Sequence, residues 1–129
     1  MTIFNPLLDL SALARRLNRE PGLVIACYCA QWCDTCRQYL ADFQALAEKW
    51  PQHTFVWIDI EDSPELLGEE DIENFPTLAI QGPERTLFFG TLLPFISHLD
   101  KLIGRAGSMT EAVAKAPPLL RPLLAATAQ

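Results

Sequence analysis

The chain has 129 residues, half of them apolar and 20% charged, with a formal net charge of −6. This suits a single soluble domain that can bury a core without disulfides or metal. Acidic residues outnumber basic ones 16 to 10, which argues against nucleic acid or an anionic membrane surface as partner. No apolar run approaches the roughly 20 residues that span a bilayer. The N-terminus lacks a basic segment, carries Asp9 among its apolar residues and offers no small-residue cleavage site, so no signal peptide is expected.

In chain order, Thr2-Ile3-Phe4 can form a short edge strand. Leu7, Leu10, Leu13, Ala14 and Leu17 recur at helical spacing, with Arg15, Arg16 and Arg19 on the polar side, so the pattern predicts a helix over about residues 6–19, stopped by Pro21-Gly22. The continuous apolar run Leu23 to Cys29 suits a strand buried on both faces. A helix over 34–49 follows, with Cys36, Tyr39, Leu40, Phe43, Leu46 and Ala47 on one stripe and Pro51 beyond its end. His53 to Ile60 reads as a strand, and Ser63-Pro64 as the start of a short acidic helix reaching about residue 70. Thr77–Ile80 and Thr86–Phe89 flank Gly82-Pro83-Glu84 as a hairpin, and Pro94 opens a last helix over Phe95 to Ile103. The expected fold is α/β, a central mixed sheet flanked by helices, over residues 1–107. Residues 108–129 form a C-terminal extension. Ser108-Met109-Thr110-Glu111 is a capping-box pattern, and Pro117, Pro118 and Pro122 break any long helix. The extension either packs along the domain, is partly disordered, or serves as an apolar docking or dimerisation segment.

The chemistry concentrates in Cys27, Cys29, Cys33 and Cys36, which lie within ten residues. Cysteines this close do not staple a fold, and an active thiol pair in a reducing cytoplasm is the better reading. Trp32-Cys33-Asp34-Thr35-Cys36 sits where a buried strand meets the start of a helix. Unpaired backbone N–H groups and the macrodipole there favour a thiolate at Cys33. Cys36, one turn on, can resolve a mixed disulfide formed by Cys33. The same spacing also occurs in zinc sites.

Further on, Asn74-Phe75-Pro76-Thr77 enters the next strand with a proline whose missing N–H is out of place in a sheet. With Ala30-Gln31-Trp32-Cys33-Asp34-Thr35-Cys36, Phe75-Pro76-Thr77 and Gly90, the chain resembles the thioredoxin family over about residues 1–105. The resemblance implies the thioredoxin fold, a cis Pro76 beside the cysteine pair, Phe75 and Thr77 flanking a substrate groove, and Trp32 packed beside the site. It implies a protein thiol–disulfide oxidoreductase with no bound cofactor. Its partners would be disulfide-containing proteins and a separate reductase that supplies electrons.

Several positions depart from that family. Asp34-Thr35 replaces the usual Gly-Pro. Asp34 repels a thiolate at Cys33, whereas a Thr35 hydroxyl that donates to sulfur would favour one. Cys27 stands where many relatives carry a buried aspartate, and Trp57 where they carry the facing lysine, so both partners of a buried acid–base pair are gone together. This leaves deprotonation of Cys36 without an obvious base. Cys27 and Cys29 share one face of a strand, about 6.6 Å apart, which disfavours a bond between them. They read as small buried apolar groups, with a sensor or resolving role for Cys29 and a four-thiolate metal site as less favoured alternatives.

His53 and His98 read as surface or packing residues, and Trp50 and Trp57 as packing anchors. No Lys or Arg occurs between Lys49 and Arg85, an interval holding Asp59, Glu61, Asp62, Glu65, Glu69, Glu70, Asp71, Glu73 and Glu84. The run reads first as a solvated acidic helix and loop; because it leads into Asn74-Phe75-Pro76, the sharper alternative is a partner with a basic segment near its disulfide. The altered dipeptide and missing buried acid leave a second reading open, a chaperone or assembly factor of the same fold with little redox turnover.

Overall fold

Runs of β-branched and aromatic residues build the sheet, and amphipathic helices close it on both sides. The structure, a computed structural model, describes residues 3–19, 22–30, 33–68, 70, 76–82, 84–92, 95–106, 113 and 116–125. Among them are the strands β1 (Ile3–Phe4), β2 (Val24–Cys29), β3 (Thr54–Asp59), β4 (Thr77–Gln81) and β5 (Thr86–Thr91), and the helices α1 (Leu10–Arg19), α2 (Asp34–Lys49), α3 (Ile96–Arg105) and α4 (Leu120–Ala125). The sheet order is β1-β3-β2-β4-β5. β1 and β2 flank β3 in parallel, whereas β4 runs antiparallel to both β2 and β5. This is the mixed α/β sheet that the sequence predicts.

β2 is central, and all six of its residues are buried, as a strand covered on both faces must be. Its alternation divides the core in two. Ile25, Cys27 and Cys29 join the cluster that α2 and α3 cover, with Tyr39, Phe43, Phe55, Leu78, Ile80 and Leu99. Phe43 is fully buried, with its ring centroid 5.3 Å from that of Phe55 and 5.6 Å from that of Trp57. Val24, Ala26 and Tyr28 face the opposite cluster, where Leu13 and Leu17 of α1 meet Leu120 and Leu124 of α4. Each fully buried side chain of this size contributes about 1.5–3 kcal/mol of transfer free energy.

The first helix starts four residues later than expected. The Asn5 side chain accepts a hydrogen bond from the Leu7 amide (2.8 Å), and Asp9 Oδ2 accepts one from the Asn5 amide (3.0 Å). These local bonds hold 5–9 as turns, and the Asp9 carbonyl then accepts from Leu13 N to begin α1. Leu7, counted on the apolar stripe, is therefore 56% exposed, while Leu13, Ala14 and Leu17 are buried. The helix expected after Ser63 is a single 3-10 turn, Pro64–Leu67, ended by Gly68 at φ 63°, a conformation that costs glycine little. α3 continues past Gly104 to Arg105.

The tail is fastened to the domain by specific groups. Gln81, 1% exposed, accepts from the Leu120 amide through Oε1 (3.0 Å) and donates to the Pro118 carbonyl (3.3 Å). The Arg121 guanidinium donates to the carbonyls of Leu17 and of Gly22, the latter at 2.7 Å. Leu120 and Leu124 are buried against α1. Leu120 and Leu124 are thus used by the chain's own domain, whereas Leu123 stays exposed. The capping-box pattern at 108–111 lies outside the described residues.

Candidate functional site

The site forms where β2 ends and α2 begins. Cys33 occupies the N-cap position of α2, its amide donating to the Ala30 carbonyl (3.0 Å) and its carbonyl accepting from Arg37 N (3.1 Å). Its thiol is free and half-buried. Cys36, in the first turn of α2, points inward and is 1% exposed. It is bonded to Cys29, the last residue of β2, with the two Cα atoms 5.9 Å apart, within the usual range for a disulfide.

This differs from the favoured reading of the sequence, which pairs Cys36 with Cys33 and leaves Cys29 to packing, with a sensor or resolving role for Cys29 as the less favoured alternative. Cys29 lies on the face of β2 that α2 covers, at the end of the strand nearest the helix start, so the inward-pointing Cys36 meets it. Cys33 stays at the helix end, half in solvent. Cys27 remains free and fully buried, its Sγ 3.7 Å from that of Cys29. A disulfide sulfur carries no hydrogen, so Cys27 is the donor in this contact. Burial pushes the Cys27 thiol well above its ordinary pKa, which keeps it protonated.

Cys27 registers with Trp57, and Cys29 with Asp59, across the parallel pair β2 and β3. The alignment of Cys27 with Trp57 made from sequence is the one the sheet adopts. A cavity of about 390 Å3 opens beside Cys36, between Trp57, Leu40, Arg37, Asp59, Asp62 and the Leu7-Leu8 turn. Of this lining, Cys36 alone was named from the sequence as a site residue, and three of the others are charged. Arg37 pairs with Asp34 one turn earlier, so the Asp34 carboxylate has a cation beside it as well as the helix start. Spacing i to i+3 on a helix is the signal that could have shown this. Asp59 lies two residues beyond Trp57, on the same face of β3, and its Oδ1 accepts from the Glu61 amide (2.9 Å). Asp62 follows in the turn and is exposed.

On the other side of β2, Pro76 and Thr77 are buried at the start of β4. The Pro76 carbonyl accepts from Leu92 N (3.3 Å), and the Thr77 hydroxyl lies 3.2 Å from that of Thr91. Thr77 pairs with Tyr28, next to Cys29, in the antiparallel register. Thr35 is half-buried in the first turn of α2. Trp32, Phe75, Glu69, Asp71 and Glu73 lie outside the described residues.

The remaining ring residues are structural. His53 Nδ1 accepts from the Leu23 amide (3.0 Å) while its ring stacks on Trp50. His98 packs against Phe95. Trp50 donates from Nε1 to Asp100 (2.9 Å), which also holds Lys49 (2.6 Å). Among the described residues, no helix is long and apolar enough to cross a membrane.

Comparison with known proteins agrees with this architecture. The family model described as Thioredoxin matches residues 8–88. A thioredoxin H-type from Ricinus communis is 36% identical over 61 residues, 46% of this chain and 51% of that protein. Thioredoxin H5 from Oryza sativa subsp. japonica is 29% identical over 101 residues, 78% of this chain and 64% of that protein. The matched region thus spans about half to just under two thirds of these relatives' lengths. Fasciola hepatica thioredoxin has the same fold, at a TM-score of 0.65 and 21% identity, covering 81% of this chain and 98% of that one. So does a chain in a complex of ferredoxin:thioredoxin reductase with thioredoxin f2, at a TM-score of 0.67 and 19% identity, covering 82% and 96%. The family match covers most of the sheet and the whole cysteine cluster, and the chain belongs to the thioredoxin family.

Proposed function

We propose that the protein is a thiol–disulfide oxidoreductase acting on protein disulfides, with Cys33 as the attacking thiol and Cys36 as the resolving one. The observation that carries this reading is the free, half-exposed Cys33 thiol at the N-cap of α2, with Cys36 one turn below it. Arg37 pairs with the Asp34 carboxylate beside it. Attack by Cys33 on a partner disulfide would form a mixed disulfide and release one partner thiolate. Attack by Cys36 on the Cys33 sulfur would release the other.

Pro76, without an amide proton, and its neighbours Phe75 and Thr77 are proposed to receive the extended backbone of the partner, with Trp32 beside the cysteines. Asp59, Asp62 and the acidic residues after them would favour a partner with a basic segment. Electrons would come from a separate reductase, as the solved complex named above pairs a reductase with a thioredoxin. A reducing cytoplasm suits this cycle.

The test is reduction of insulin disulfides with dithiothreitol as electron source. The wild type should accelerate reduction, and Cys33→Ser should lower the rate at least about 100-fold. Cys36→Ser should accumulate mixed disulfides with partner proteins, weakened by salt where the acidic groups contribute. No acceleration and no trapped partner would overturn the reading.

A further inference from the structure

We propose that Cys29 is a third redox-active cysteine, and that the oxidised protein rests with Cys29 bonded to Cys36 and Cys33 regenerated as a free thiol. This rests on the oxidoreductase reading above and adds a step to it. Cys36 is shared: one helical turn separates it from Cys33, and a disulfide joins it to Cys29. Cys29 and Cys36 are each 1% exposed, whereas Cys33 is half-exposed and packs against the same cluster.

The exchange balances without an outside oxidant. Cys33 thiolate attacks a partner disulfide, forming a Cys33–partner bond and releasing one partner thiolate. Cys36 thiolate attacks Cys33 Sγ, forming Cys33–Cys36 and releasing the second. Cys29 thiolate then attacks Cys36 Sγ, forming Cys29–Cys36 and releasing Cys33 as thiolate. The partner gains two electrons, supplied in net by the Cys29 and Cys36 thiols, and their two protons pass through water to the released thiolates.

The same geometry governs the return. Cys29 and Cys36 are each 1% exposed, so a reductant from solution reaches their bond poorly even with the cavity beside Cys36. Cys33 can open it from within by attacking Cys36, so that Cys29 leaves as thiolate. The Cys27 S–H, 3.7 Å from Cys29 Sγ, is placed to hydrogen-bond that thiolate. Cys27 is thereby a positioning residue, held in place by its register with Trp57. Cys33 becomes both the entry point for partner disulfides and the way back to the dithiol state.

The test uses the full chain and its Cys33→Ser, Cys29→Ser and Cys29→Ala variants, each oxidised, followed by thiol counting and reduction by dithiothreitol. Cys33→Ser should still form one intramolecular disulfide, and its reduction should be at least about tenfold slower than that of the wild type. The oxidised forms of both Cys29 variants should hold Cys33 in the bond and leave no surface thiol. Oxidised Cys33→Ser with no intramolecular disulfide would overturn the proposal. So would reduction of that variant at the wild-type rate. If the wild type reduces insulin yet oxidises to Cys33–Cys36, the proposal fails while the oxidoreductase reading stands. If the wild type is inactive on insulin, both fail, and Cys29–Cys36 is a structural bond.

Discussion

The two faces of the sheet put one strand to different uses. On the α2 side, β2 presents Cys27 and Cys29 to a core that also holds Cys36, so sulfur chemistry is embedded in the packing. On the α1 side, the same strand presents Val24, Ala26 and Tyr28, and the face is sealed by the C-terminal helix. One face borders the place where partners would arrive, and the other fixes the strand that carries the thiols. Reactive groups on a central strand can hold their geometry because the opposite face is closed by unreactive side chains and by Gln81 and Arg121 bonded to the tail and the helix end.

This division can be broken from either side. Leu120, fully buried on the α1 face, should cost about 2–5 kcal/mol when truncated to alanine. Denaturant unfolding would measure the loss, and disulfide exchange well below the transition should stay near the wild-type rate. A parallel loss of exchange in the folded variant would show that the faces are not independent.

A smaller effect sharpens the contrast. The hydroxyls of Tyr28 and Tyr39, one per face, are buried without a hydrogen-bond partner among the described residues. Burial raises both phenol pKa values, and an unmade hydrogen bond costs stability. Tyr28→Phe and Tyr39→Phe should each leave stability unchanged or raise it by about 1 kcal/mol. A loss of that size at one position would reveal a partner for its hydroxyl.

The smallest effect lies away from both clusters. Burial, with Arg16 nearby, lowers the His53 pKa, and neutral Nδ1 accepts from Leu23 N. The unfolded chain therefore takes up this proton more readily, so the contribution of His53 is complete above about pH 6.5 and is lost as pH falls below it. Unfolding measured against pH should show that decline in the wild type and a shallower one in His53→Gln.

Much of the fold was legible because the punctuation was strong. The apolar run ending at Cys29, the helix from Asp34 to Lys49 and the hairpin around Gly82 are set by local periodicity and turn residues. The start of α1 was not, because Asn5 and Asp9 use their side chains on nearby amides, which a hydrophobic stripe does not register. At the site, the cysteines were visible, and the facing of Cys27 and Trp57 followed from aligned positions. The bond between Cys29 and Cys36 did not, since it depends on how closely the helix start approaches the strand end. The pairing of Asp34 with Arg37 was within reach of the helical period, and the placement of Asp59 two residues past Trp57 was within reach of the two-residue period of a strand.

The sulfur that holds Cys36 in the oxidised protein decides between the two cycles. Oxidised protein, with free thiols blocked by alkylation, can be cleaved after Tyr28 and Trp32 and before Asp34, which places each of the four cysteines on its own fragment. Mass spectrometry of the linked fragments should find Cys29 joined to Cys36, with Cys33 alkylated. Cys33 joined to Cys36, with Cys29 carrying the alkyl group, would contradict the account.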